Sequence, residues 1–171
     1  MKVPFTKMVC KLALDVHQTR KSTVADALAR RTGFAIADAD AFHPQANIDK
    51  MHAGIPLTDD DRWPWLRAIA DAIDRKAESG WPVIFACSAL KRTYRDLLVH
   101  GRNDVRIVYL RGTRNLIAAR LAGRHGHFMP ASLLDSQLAT LEEPTADESV
   151  VTVDIDTDVE TIVTDIIVRL S

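Results

Sequence analysis

The chain has 171 residues, 47% hydrophobic and 26% charged, the balance of one soluble globular domain and not of a disordered chain. Lys and Arg total 22 against 23 Asp and Glu, a net charge of −1, so no general field draws it to nucleic acid or to an anionic membrane. Two cysteines, Cys10 and Cys87, are too few for a disulfide framework or a zinc site. No stretch approaches the roughly 20 apolar residues of a membrane helix. Lys7, Lys11 and Asp15 break the N-terminal run, which does not read as a signal peptide. A cytoplasmic protein is expected.

Apolar runs alternate with helical patterns, the mark of a parallel α/β sheet. Met8 to Leu14 is the first expected strand, interrupted by Lys11. Residues 21–32 carry helical spacing, and Gly33 stands where a helix terminates in the left-handed region. Phe34 to Ala37 is a short second strand running into Asp38 and Asp40. His43 to Pro56 is irregular, with a short helix expected around Ile48 to His52. A long helix follows, with Asp59, Asp60 and Asp61 in the first turn, where the helix dipole favours negative charge. It ends at Ser79-Gly80.

Pro82 to Cys87 reads as a buried central strand. Ala89 to His100 is the next expected helix, Val105 to Leu110 the fourth strand, and a helix runs from Thr113 through Leu121. Gly123 to Pro130 is polar, basic and glycine-hinged, and Ser132 to Leu141 is helical again. Val150 to Ile155 is the last strand. Thr157 and Glu160 have capping-box spacing before a final helix with a full apolar stripe. No repeat or linker divides residues 1–171.

In such a sheet ligands bind at the carboxyl ends of the strands. Lys21-Ser22-Thr23, between a strand and a helix, matches the tail of a phosphate-binding loop, in which Lys reaches phosphates and the hydroxyl holds Mg²⁺. The preceding residues carry no glycine, and the tripeptide also suits an ordinary capped helix start. Asp38 and Asp40, spaced i and i+2, share a face if the strand continues. One could accept a hydroxyl proton while the other organises Mg²⁺; the same residues also suit an Asp/Pro-rich turn. Arg120, Arg124, His125 and His127 surround two glycines, as in a lid over transferring phosphate or in a solvated basic loop. Lys91, Arg92 and Arg95 form another basic cluster, readable as an exposed helix face.

From Asp38 onward the chain resembles the gluconate kinase (gluconokinase) family of small P-loop kinases, related to shikimate and nucleoside monophosphate kinases. The stretches that carry the resemblance are DADAFHPQANIDKMHAGIPLTDDDRWPWL, CSALKRTYRDLL, IVYLRG and RHGHFMPASLLDSQLATLEEP. It implies a three-layer α/β fold with a five-stranded parallel sheet in the order 2-3-1-4-5. A substrate cap is expected at about 43–65 and a lid at about 123–131. It implies transfer of the γ-phosphoryl of ATP to the 6-hydroxyl of D-gluconate, with Mg²⁺, and a homodimer. Asp40 matches the family's catalytic carboxylate. His43, Arg62, Lys91 and Arg92 match the substrate side, which His127 joins. Arg120 and Arg124 match lid arginines that meet ATP. Lys21, Ser22 and Thr23 match the end of the phosphate loop, with Ser22 and Asp40 toward the metal. Trp63 and Trp65 are expected to brace the cap.

The family pattern over residues 15–22 is G-x-x-G-x-G-K-S. Here Asp15, Gln18 and Arg20 stand in place of the glycines. Glycine lets successive backbone N–H groups turn toward phosphate. Two readings follow: an active gluconate kinase, or a silent relative that binds the sugar acid or a partner without turnover.

Overall fold

The computed structural model describes residues 10–14, 21–122 and 131–171. In chain order it contains β1 (Cys10–Leu14), α1 (Lys21–Thr32), β2 (Ala35–Asp38), a 3-10 turn (Ala39–Phe42), α2 (Gln45–His52) and α3 (Asp59–Ser79). There follow β3 (Val83–Cys87), α4 (Arg92–Val99), β4 (Val105–Arg111), α5 (Arg114–Ala122) and α6 (Ala131–Thr140). A second 3-10 turn (Ala146–Glu148), β5 (Val151–Asp154) and α7 (Val159–Leu170) complete it.

The strands lie in the order β2-β3-β1-β4-β5, and every pairing is parallel. Leu14, Cys87 and Tyr109 share one register level, so the loops after β1, β3 and β4 leave the sheet at the same edge. The pleat sends alternate side chains to opposite faces. Val83, Phe85, Cys87, Val105, Ile107 and Tyr109 pack with α3 and α4. Ile84, Ala86, Val108 and Leu110 pack with α1 and α7. The result is three layers with a core on each face of the sheet. Lys11 lies on the central strand, opposite Ile84 and Arg106; its side chain is outside the described set.

Gly33 closes α1 with φ of 75° and an N–H bond of 2.7 Å to the Ala29 carbonyl. Several helix starts differ from expectation: α2 begins at Gln45, three residues before the expected Ile48. α4 begins at Arg92, not Ala89, because Lys91 is extended (φ −100°, ψ 153°) and Ala89 and Leu90 are buried in the approach to the helix. α7 is capped by Asp158, not by the Thr157–Glu160 pair. The Asp158 carboxylate accepts the Thr161 N–H at 3.0 Å and its hydroxyl at 2.6 Å, and an ionised acceptor at that position outcompetes a hydroxyl.

Candidate active site

The site begins where β2 stops. Asp38 ends the strand, and its Oδ1 accepts the Asp40 N–H at 2.9 Å, capping the 3-10 turn. An Asp side chain that captures the N–H two residues on diverts the backbone out of strand geometry. The two carboxylates therefore do not stand side by side on one strand face: exposed Asp38 shapes the turn, and half-buried Asp40 rides on it. The turn is anchored from below. Ala39 is fully buried, and its carbonyl accepts the Trp65 indole N–H at 2.7 Å. Trp65 thus ties α3 to the backbone next to Asp40.

The turn closes with a hydrogen bond of 3.2 Å from the His43 N–H to the Asp40 carbonyl. The His43 ring lies flat on Trp65, with centroids 4.3 Å apart and planes within 9°. Buried Asn47, on the first turn of α2, reaches back to His43 Nδ1 at 3.2 Å and across to the Asp61 carbonyl at 2.7 Å. Lys50, one turn further along α2, pairs with both oxygens of Asp61 at 2.7 and 2.8 Å. Asp61 and Thr58 form the capping box that starts α3. Lys50 first, then the Thr58 backbone and hydroxyl, hold the Asp61 carboxyl down to about 2. The cap helix α2 is thereby fastened to the start of α3.

One turn before Trp65, Arg62 is buried on α3. Its Nη1 donates to the Tyr94 hydroxyl at 3.4 Å, and its guanidinium lies 5.8 Å from that ring's centroid. The Tyr94 hydroxyl in turn donates to Asp59. Lys91 Nζ reaches the same Asp59 carboxylate at 2.7 and 2.9 Å. The Lys91 ammonium, then the Tyr94 hydroxyl, hold the Asp59 carboxyl below the usual range. Asp59 raises Lys91 in return, and burial, ahead of the bond to Asp59, pushes the Tyr94 phenol up. Arg62 and Lys91 are thus two cations gathered around one acid and one phenol. Trp63 meets Tyr94 edge-on at 5.3 Å, so both tryptophans brace this wall.

The other basic residues of α4 are spent differently. Arg92 donates to Asp147 at 2.6 Å and to Thr145 at 3.3 Å, and its N–H bonds Glu142 at 2.8 Å. Arg95 was expected on an exposed helix face and is only 1% exposed. It forks onto Glu148 at 2.6 and 2.9 Å and donates to the Leu90 and Glu142 carbonyls. An Arg with all its donors satisfied can be buried, and its acid partner lies 53 residues further along the chain.

Lys21 and Ser22 open α1, the next described element after β1, exposed Thr23 follows, and Arg120 lies in the last turn of α5. The side chains of Lys21, Ser22 and Arg120 are outside the described set. Arg124, His127 and most of the expected lid lie outside the described residues. The structure therefore brings together Asp40, His43, Arg62 and Lys91 through α3 and its contacts. It also adds three residues that the sequence reading did not single out: Asn47, Asp59 and Tyr94. The i, i+4 spacing of His43 and Asn47 was a visible signal for the first. Asp59 was read only as a helix-start charge, and Tyr94 carried no signal of its own.

The oxygen donors here suit Mg²⁺, which takes one or two protein oxygens and completes its shell with phosphate and water. Among the described residues no three His, Cys, Asp or Glu side chains gather into a metal cage, and such an ion needs none. Also among the described residues, no helix is long and apolar enough to cross a membrane.

A family model described as an AAA domain matches residues 20–144. The chain is 46% identical over 142 residues to the gluconokinase of Gluconobacter oxydans (strain 621H), covering 83% of this chain and 80% of that protein. It is 43% identical over 151 residues to the thermoresistant gluconokinase of Escherichia coli (strain K12), covering 88% and 86%. The crystal structure of a gluconokinase from Sinorhizobium meliloti 1021 superposes with a TM-score of 0.84 at 41% identity, over 97% of this chain and 92% of that one. With its three-layer sheet and this likeness over most of its length, the chain belongs to the gluconokinase family of P-loop kinases.

Proposed function

We propose that this chain transfers the γ-phosphoryl group of ATP to the 6-hydroxyl of D-gluconate, as a cytoplasmic, Mg²⁺-dependent homodimer. The observation that carries the reading is the turn at the end of β2. A half-buried carboxylate, Asp40, sits on a turn tied to α3, and that same helix presents a buried cation, Arg62. A polyol acid needs both: an acceptor for its reacting hydroxyl proton and a cation for its carboxylate.

In this mechanism Asp40 orients the attacking hydroxyl and takes its proton. Arg62 and Lys91 face the carboxylate of the sugar acid. Arg92 supports that wall by holding the 142–148 segment against α4. His43 and His127 line the substrate side. Lys21, Arg120 and Arg124 meet the phosphates, where phosphoryl transfer depends on positioning and charge stabilisation, and Thr23 belongs to the same helix start. Ser22 and Asp40 would hold the metal, which when bound neutralises charge on the phosphates.

The test is ATP consumption with gluconate and Mg²⁺, set against glucose, shikimate and nucleoside monophosphates, with the product's phosphorylated carbon assigned by NMR. The expected result is turnover with gluconate alone, phosphate on C6 and loss of turnover with a chelator. Turnover with another acceptor and none with gluconate would overturn the reading.

A further inference from the structure

Asn47 is a buried amide, 3% exposed, on a residue the proposed reaction does not use. Its side-chain atom against the Asp61 carbonyl, 2.7 Å away, must be nitrogen, because a carbonyl oxygen only accepts. The same nitrogen lies 3.2 Å from His43 Nδ1. Its second hydrogen therefore points at that ring nitrogen, which must accept it. The proton of the neutral ring is then on Nε2, on the far side of the imidazole from Asn47. Flipping the ring would set a C–H against the Asn47 N–H and lose the bond. The stack on Trp65 keeps the ring plane in place.

We infer that Asn47 is a positioning residue: it locks His43 as the Nε2–H tautomer, making His43 a hydrogen-bond donor to the substrate and leaving proton acceptance at the turn to carboxylate, with Asp40 as the acceptor. The two residues close the same 3-10 turn, through the His43 N–H and the Asp40 carbonyl. In the other tautomer Nε2 would be a further acceptor beside the Asp38 and Asp40 carboxylates, competing for a hydroxyl that must give its proton to Asp40. As a donor, His43 instead meets a lone pair of a gluconate hydroxyl. The inference rests on the gluconate reading above.

The tautomer is read directly by ¹⁵N NMR of the full-length protein labelled at its six histidines, with H43Q assigning the signal. The expected spectrum has Nε2 protonated and Nδ1 bare, without gluconate and with it. Kinetics supply the functional arm. N47A should raise KM for gluconate about fivefold to tenfold, the worth of one net hydrogen bond. It should change kcat little and leave KM for ATP unchanged. In H43Q the terminal amide brings its own donor and needs no tautomer lock, so adding N47A should move KM less than about twofold. A proton on Nδ1 overturns the role of Asn47 whatever the turnover. Equal losses from N47A in both backgrounds also overturn it, because a merely structural residue behaves that way. A wild-type protein inert toward gluconate overturns the substrate reading instead, whatever the tautomer.

Discussion

Replacing Glu148 by Gln leaves the shape of the buried pair intact and removes its negative charge. Arg95 and Glu148 have side chains 1% and 4% exposed, joined by two parallel bonds. Breaking a buried pair on one side costs about 3–5 kcal/mol, because the remaining charge is left uncompensated. Gln keeps one acceptor for Arg95, which puts E148Q at about 3 kcal/mol. For a chain of this size that corresponds to roughly 6–12 °C in Tm. Arg95 lowers the Glu148 carboxyl, with burial opposing. A lowered folded-state value means that the pair's stabilisation is full above the ordinary carboxyl range and is lost as pH falls from that range to the lowered value. The gap between wild type and E148Q should therefore be full at pH 7 and narrow in acid. Urea unfolding followed by circular dichroism at pH 7 and pH 4 measures both. A difference under about 1 kcal/mol at pH 7 would refute the reasoning and mean that the pair is solvated in solution.

Asp40→Asn should lower kcat by about 10²–10⁴-fold, the usual range of a general base, with an unchanged melting curve; unaltered turnover removes Asp40 from the chemistry. Asp61→Asn should destabilise the protein near neutrality, and the loss should disappear between about pH 4 and pH 2, because the Asp61 carboxyl is held at about 2 and its contribution goes as it protonates; thermal melts across that range test it. The variant D15G/Q18G/R20G should bind MgATP at least about tenfold more tightly by calorimetry with gluconate affinity unchanged, since glycine lets successive backbone N–H groups turn toward phosphate. Equal ATP affinity in both proteins would show that other groups hold the phosphates.

Much of the fold was legible because its signals are local. Val83–Cys87 is apolar throughout and buried throughout, and Gly33 ends α1 in the conformation that only glycine adopts cheaply. Asp40 was legible as a carboxylate just past the end of β2. The illegible parts depend on distant partners. Nothing near Arg95 in sequence announces Glu148, so a buried fork read as an exposed helix face. Likewise Lys91 finds Asp59 32 residues away. Asp38 and Asp40 would share a face only if the strand ran on past Asp38; it turns there because one side chain captures a backbone N–H, a local choice that residue pattern leaves open between strand and turn.

Asp61 joins three structures at one position: its side chain caps α3 with Thr58, its carboxylate holds Lys50, and its carbonyl holds Asn47. Helix start and cap are therefore not separable modules. A chimera that exchanges α2 alone between two relatives would sever the Lys50 and Asn47 links and leave the incoming helix without its moorings. A block that keeps these three links together runs from His43 through Trp65, and any effort to change the acceptor by cap exchange has to move it whole and match its contacts to Ala39, Lys91 and Tyr94.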